Sequence, residues 1–75
     1  MITLKEAYSQ VSREYKVGKI YDCGDFWLFG FAEPLDISAT AVYKESGERF
    51  IWFPPDLPPK LRSARAHAIE VPIPR

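Results

Sequence analysis

The sequence has a single cysteine, Cys23, and a single histidine, His67, among its 75 residues. One cysteine excludes an intramolecular disulfide, on which small secreted domains generally depend. A structural zinc site needs about four ligands at regular spacing, and Asp22, Cys23 and Asp25 do not supply that pattern. We therefore expect a reducing compartment, no metal and no cofactor.

An excess of charge of either sign is also missing. Ten Lys and Arg residues balance ten Asp and Glu residues, so the formal net charge is zero. This balance removes the long-range field that non-specific binders of nucleic acid or anionic membranes use. No apolar run approaches the roughly 20 residues that span a bilayer, and no apolar leader follows a basic start. These absences predict a soluble, cytoplasmic protein that binds neither nucleic acid nor a membrane.

The residues needed for catalysis are sparse. A phosphate-binding loop needs clustered glycines before a helix, but the four glycines are dispersed along the chain. Cys23 and His67 are the only thiol and imidazole available as a nucleophile and its base. A small buried cysteine and a histidine on a solvated helix face explain these two residues better than a catalytic pair does. We expect no enzyme, with a thiol hydrolase or transferase as the enzymatic alternative.

Aromatic residues, in contrast, make up 15% of the chain and are concentrated in residues 25–31. Side chains alternate across a strand, so Phe26 and Leu28 are expected on one face. The opposite face of this strand carries Trp27, Phe29 and Phe31. Both faces are apolar, yet a domain of this size buries only about 60% of the surface that its unfolded chain exposes. A second protein surface is one way to cover the remaining face.

The first segment predicts an amphipathic helix. Thr3 and Glu6 form a capping box, and Gly18 is placed to end the helix. Polar residues occupy the other side of this segment. The apolar stripe at helical spacing consists of Leu4, Ala7, Tyr8, Val11 and Tyr15.

Two hairpins and a second helix follow. Cys23-Gly24-Asp25 and Ser46-Gly47 are turn signals, each between two runs of strand-forming residues. The prolines after residue 53 end the sheet, and they favour a short helix over residues 58–68 before an extended arm over 69–75. The four predicted strands cover residues 19–22, 25–31, 37–43 and 49–53.

These elements predict a single small α+β domain over residues 1–75. An N-terminal helix packs on a four-stranded, mostly antiparallel sheet, and a short C-terminal helix and an extended arm follow. The residues expected to dominate the core are Leu4, Tyr8, Val11, Tyr15, Phe26, Leu28, Ile51 and Leu61.

The aromatic residues of both hairpins admit two explanations. The C-terminal helix and the proline-rich segment cover the second face and make them core, or they form a docking or dimer surface. On the second explanation the protein is a non-enzymatic binding module that acts through a protein partner. A homodimer is the alternative, whereas acidic flanks disfavour a single-stranded nucleic-acid binder. The candidate interface residues are Trp27, Phe29, Phe31, Phe50 and Trp52.

The order of these motifs resembles that of small bacterial immunity-type proteins, in particular the immunity protein 35 group. Members of that group combine a helix, an F-G-F-like strand and a Val-x-Lys-x-x-Gly-Glu turn. The matching residues, within a resemblance over residues 2–53, are Phe29-Gly30-Phe31, Val42, Lys44, Gly47 and Glu48. The resemblance implies neutralisation of a toxin by direct binding, with no catalytic residues to transfer.

Overall fold

The computed structural model describes residues 1–31 and 39–74. The elements in chain order are α1 (Leu4–Ser12), β1 (Val17–Asp22), β2 (Phe26–Phe31), β3 (Thr40–Tyr43), β4 (Arg49–Ile51), a 3₁₀ turn (Pro54–Asp56), α2 (Pro59–Ala66) and β5 (Ile69–Val71). The strands form one antiparallel sheet in the order β4-β3-β2-β1-β5. The predicted α+β class with an N-terminal helix is confirmed. The C-terminal arm adds a fifth strand, because β5 pairs with β1.

The start of α1 is as predicted, but its end is not. The hydroxyl of Thr3 accepts the backbone N–H of Glu6 at 3.1 Å, which satisfies one of the free donors of the first turn. The helix ends at Ser12 rather than at Gly18. Beyond it, the carbonyl of Val11 accepts the N–H of Tyr15 at 3.0 Å, and the chain turns towards the sheet.

Gly18, predicted to end the helix, lies within β1. Val17 opposes Phe31 and Lys19 opposes Gly30, so Gly18 is the extra residue of an irregularity in the pairing. Glycine inside a strand commonly marks such a bulge. Because the buried Val17 packs in the core, strand pairing begins before Gly18 and the helix stops early.

Both predicted hairpin turns are confirmed. Gly24 and Gly47 have φ angles of 94° and 75°, a region that favours glycine. The carboxylate of Asp22 accepts the N–H of Gly24 at 2.9 Å, and the hydroxyl of Ser46 accepts the N–H of Glu48 at 3.1 Å. These hydrogen bonds stabilise the two hairpin turns.

One face of the sheet is covered by α1. Trp27 and Phe29 of the central strand β2 point into this layer. The sequence predicted that they share a face, but it assigned them to a candidate interface and not to the core under α1. The residues buried between α1 and the sheet are Ala7, Val11, Val17, Ile20, Trp27, Phe29 and Val42.

The opposite face is covered by the C-terminal part of the chain. Half-buried residues of α2 and of the segment before it, among them Leu57, Leu61 and Ala64, pack against this face. The chain therefore covers both apolar faces of β2 by itself. The residues buried in this second layer are Cys23, Phe26, Leu28, Ala41 and Trp52.

Ile51 is the clear exception among the predicted core residues, since it is 65% exposed. It lies on the α1 side of the edge strand β4, whereas α1 packs over the central strand β2. Val11, Phe26 and Leu28 are buried as predicted. The half-buried members of the predicted core are Leu4, Tyr8, Tyr15 and Leu61.

The third predicted strand is described only in part. It was expected over residues 37–43, and β3 begins at Thr40. Residues 32–38, on which the proline break after β2 was predicted, lie outside the described residues.

Candidate interaction surface

The five aromatic residues predicted as an interface lie on two opposite faces of the sheet. Trp27 and Phe29 are buried beneath α1, with exposures of 8% and 0%. Trp52, at 8%, is buried on the other face beneath the C-terminal segment. Phe31 and Phe50 are half-buried, one on each face. These residues do not share a surface, and three of them have almost no area left for a partner.

Four aromatic side chains form a cluster on the face beneath α2. The ring centroid of Phe26 lies 5.5 Å from those of Phe50 and Trp52. Tyr43 stacks at 4.8 Å on Phe50, and both are half-buried at the side of the cluster that borders β4. Such aromatic pairs contribute about 0.5–1.5 kcal/mol each beyond their burial. The cluster thus stabilises the fold and leaves part of Phe50 and Tyr43 accessible beside the β4 edge.

Cys23 and His67 make separate contacts. The thiol of Cys23 is buried and lies 4.0 Å from the carbonyl of Tyr21. Burial raises the pKa of this thiol, although the nearby Arg65 acts in the opposite direction, so little thiolate forms at neutral pH. A ring nitrogen of His67 lies 3.0 Å from the carbonyl of Ser63, on its own helix. Neither contact supplies a nucleophile with a base.

The acidic residue at the end of β1 and a basic residue directly after β3 form an ion pair. The ammonium of Lys44 lies 2.8 Å from the carboxylate of Asp22 and 5.2 Å from the ring centroid of Trp27. Burial acts to raise the pKa of Asp22, but the hydrogen bonds from Lys44 and Gly24 and the charge of Lys44 outweigh it and lower the pKa overall. This pair joins β1 to β3. Within residues 1–31 and 39–74, no group of three or more His, Cys, Asp or Glu side chains is arranged to hold a metal ion.

The lowered pKa of Asp22 predicts a loss of stability in acid. A carboxylate whose pKa is lower in the folded state stabilises the fold above its unfolded pKa, and this contribution disappears as the pH falls through the folded pKa. At pH 7 we expect Asp22→Asn, which keeps an oxygen for the Gly24 N–H, to lower the free energy of unfolding by about 0.2–1 kcal/mol. Urea unfolding at pH 7 and pH 2 measures this difference, which should shrink at pH 2.

A control variant separates this effect from a general loss of negative charge. Asp56→Asn changes an exposed acid and should alter stability by less than about 0.5 kcal/mol at both pH values. An equal deficit of Asp22→Asn at both pH values would contradict a contribution from the carboxylate charge.

The two edges of the sheet differ in how they are protected. On the outer edge of β5, Ile69 is 70% exposed and Glu70 is also exposed. Pro72 and Pro74 follow directly and lack N–H donors, which prevents the edge from extending as a strand. A charged residue and nearby prolines are common protection against edge-to-edge pairing. The β5 edge is therefore protected by the charge of Glu70 at its centre.

The β4 edge has the aromatic Phe50 at its centre, and it also has exposed apolar residues. Ile51 is 65% exposed, and Phe53, which follows the strand, is 47% exposed. Ile51 borders a shallow depression of about 270 Å³ that Tyr15, Thr40 and Arg49 also line. We call Arg49–Ile51 together with Phe53 the β4 edge surface.

Arg49 is held in place beside this surface. Its guanidinium donates to the carboxylate of Glu14 at 2.7 Å, which connects the segment after α1 to β4. The hydrogen bond and the charge of Arg49 lower the pKa of Glu14. The side chain of Arg49 is thus already engaged on the α1 side, and the edge of the strand remains unpaired among the described strands.

This surface was not predicted from the sequence, because Ile51 was expected in the core. The position of the strand gave the signal, since a last hairpin strand that runs into consecutive prolines belongs at a sheet edge. An edge strand buries its side chains less completely than a central strand.

Comparison with known proteins finds no matching family model, no similar curated protein and no similar solved structure. Over the part of the chain that the structure describes, no helix combines the length and apolar character required to cross a bilayer.

Proposed function

We propose that the protein is a non-enzymatic module that binds a protein partner through the β4 edge surface. The observation that carries this proposal is the exposure of Ile51 and Phe53, at 65% and 47%, on and directly after an edge strand whose outer side pairs with no described strand. Large apolar side chains on an open edge favour pairing with another chain.

The contrast between the two edges supports this choice of surface. Both strands are followed by prolines, but β5 has an exposed Glu70 at its centre. β4 has Phe50 at its centre, and its aromatic ring contacts Tyr43 and Phe26. The two edges of one sheet are therefore unequal, and only β4 combines open backbone groups with apolar side chains on both sides.

The partner class remains a prediction from the sequence. The resemblance to the immunity protein 35 group implies a toxin, which would be neutralised by occupation of its surface. Binding through β4 is compatible with that role because it uses backbone groups and apolar contacts and requires no catalytic residue.

Two exposed isoleucines on opposite edges provide a matched test. Ile51 and Ile69 are 65% and 70% exposed, so Ile51→Lys and Ile69→Lys change similar positions on β4 and β5. Wild-type protein and both variants are immobilised and exposed to extract from the cells that express the chain. We expect one protein to be retained by the wild type and by Ile69→Lys and lost with Ile51→Lys. Retention by all three proteins, or by none, would contradict the proposal.

A further inference from the structure

Backbone hydrogen bonds show which groups of β4 are already used. In an antiparallel pair, residues alternate between those whose N–H and C=O point at the partner strand and those whose groups point away. The N–H of Trp52 donates to the carbonyl of Ala39 at 2.7 Å, and the N–H of Tyr43 donates to the carbonyl of Glu48 at 2.9 Å. Glu48 and Trp52 therefore point at β3. Phe50, two residues from each, points at β3 as well.

The same alternation directs the backbone groups of Arg49 and Ile51 to the open edge. These two residues present two N–H donors and two C=O acceptors along a strand about 10 Å long. Groups in this arrangement hydrogen-bond to an added strand. An occupant of the β4 edge thus gains main-chain bonds without disrupting any bond to β3.

The side chains beside the edge set the chemistry of the added strand. On the α1 side lie Ile51 and the depression next to it, and on the α2 side lie Phe50 and Tyr43. Successive residues of an added strand point to opposite faces, so one meets Ile51 and the next meets Phe50 or Tyr43. Consecutive apolar residues fit this arrangement better than an alternating polar and apolar sequence.

We infer that the β4 edge binds an extended segment of another protein by strand addition, and that this segment contains consecutive apolar residues. This inference rests on the proposed function and specifies its partner. A second copy of the chain fits less well, because a stable dimer interface buries roughly 800 Å² per partner and the pairing of two three-residue strands does not supply that area, whereas a segment that binds weakly need not bury it. Strand addition obtains affinity from main-chain hydrogen bonds instead.

Proline at position 51 distinguishes strand addition from side-chain docking. Ile51→Pro removes an N–H that points outward and no bond to β3, and proline is tolerated on edge strands in this orientation. Ile51→Ala removes the side chain but retains the N–H. The probe is a peptide selected from a phage-displayed library of random twelve-residue peptides on the wild-type protein. We expect it to contain consecutive apolar residues and to bind Ile51→Pro at least about tenfold more weakly than Ile51→Ala.

Amide hydrogen exchange gives a second readout that does not depend on the folding of the proline variant. In the wild-type protein, the peptide should slow exchange at Arg49 and Ile51 and leave Phe50, which already donates to β3, nearly unchanged. Equal weakening by Ile51→Ala and Ile51→Pro, without slower exchange at Ile51, would overturn strand addition while the capture result still supports a protein partner. Selected peptides that bind all variants equally would also overturn it.

Sedimentation of the free protein tests whether a second copy of the chain occupies the β4 edge. We expect a monomer across the concentration range used for peptide binding. Self-association that Ile51→Pro abolishes would identify a second copy as the occupant and overturn the choice of a different protein.

Discussion

Replacement of Phe29 by alanine is expected to lower the free energy of unfolding by about 3–5 kcal/mol. Phe29 is completely buried between α1 and the centre of the sheet, so the variant loses apolar burial and leaves a cavity. A chain of 75 residues has a total stability of only about 4–11 kcal/mol. Phe29→Ala should therefore lose a large fraction of the total stability, and chemical denaturation followed by circular dichroism should show its midpoint at a much lower denaturant concentration.

Phe53→Ala is the matched control for this prediction. Phe53 is 47% exposed, so the same substitution should cost less than about 1 kcal/mol. The comparison also tests the role that the sequence suggested for Phe29. A Phe29→Ala protein that kept its stability and lost only partner binding would show that Phe29 is an interface residue and would contradict the packing described above.

The second large effect is expected on the opposite face of the sheet. Trp52 is 8% exposed and packs on Phe26 with 5.5 Å between ring centroids, beneath the C-terminal segment. Trp52→Ala should lower the free energy of unfolding by about 3–5 kcal/mol, because it removes the largest side chain of this layer. The same denaturation experiment measures the loss, and increased binding of a hydrophobic dye would report exposure of the second face.

The neighbouring residue provides the control for Trp52. Ile51→Ala, at the exposed position directly before Trp52, should change stability by less than about 1 kcal/mol. If Trp52→Ala were as stable as Ile51→Ala, the C-terminal segment would not be closing this face, and the aromatic residues beneath it would again be candidates for an interface.

Local patterns predicted most of the elements. The Thr3 cap, the glycine turns at Gly24 and Gly47 and the alternation along β2 depend on neighbouring residues in the chain, and each is present in the structure. The end of α1 was wrong because Gly18 has two local explanations, a helix stop and a bulge, and only pairing with β2 decides between them.

The candidate site was predicted less well from the sequence than the secondary structure was. Apolar residues such as Trp27 and Ile51 look alike in a strand pattern, yet one is buried under a helix and the other is exposed at an edge. Burial depends on the order of strands and on the position of α1, which bring together residues distant in sequence. The strand order is a long-range property that no local pattern contains.

The sequence by itself determined an α+β chain with an apolar central strand, because caps, turns and alternation act over a few residues. Only the tertiary structure decided that β5 and α2 return to the sheet, so that the chain covers both faces of β2. Among the described strands, β4 is then the apolar open edge, since a sheet that does not close ends in two strands that are each paired on one side only.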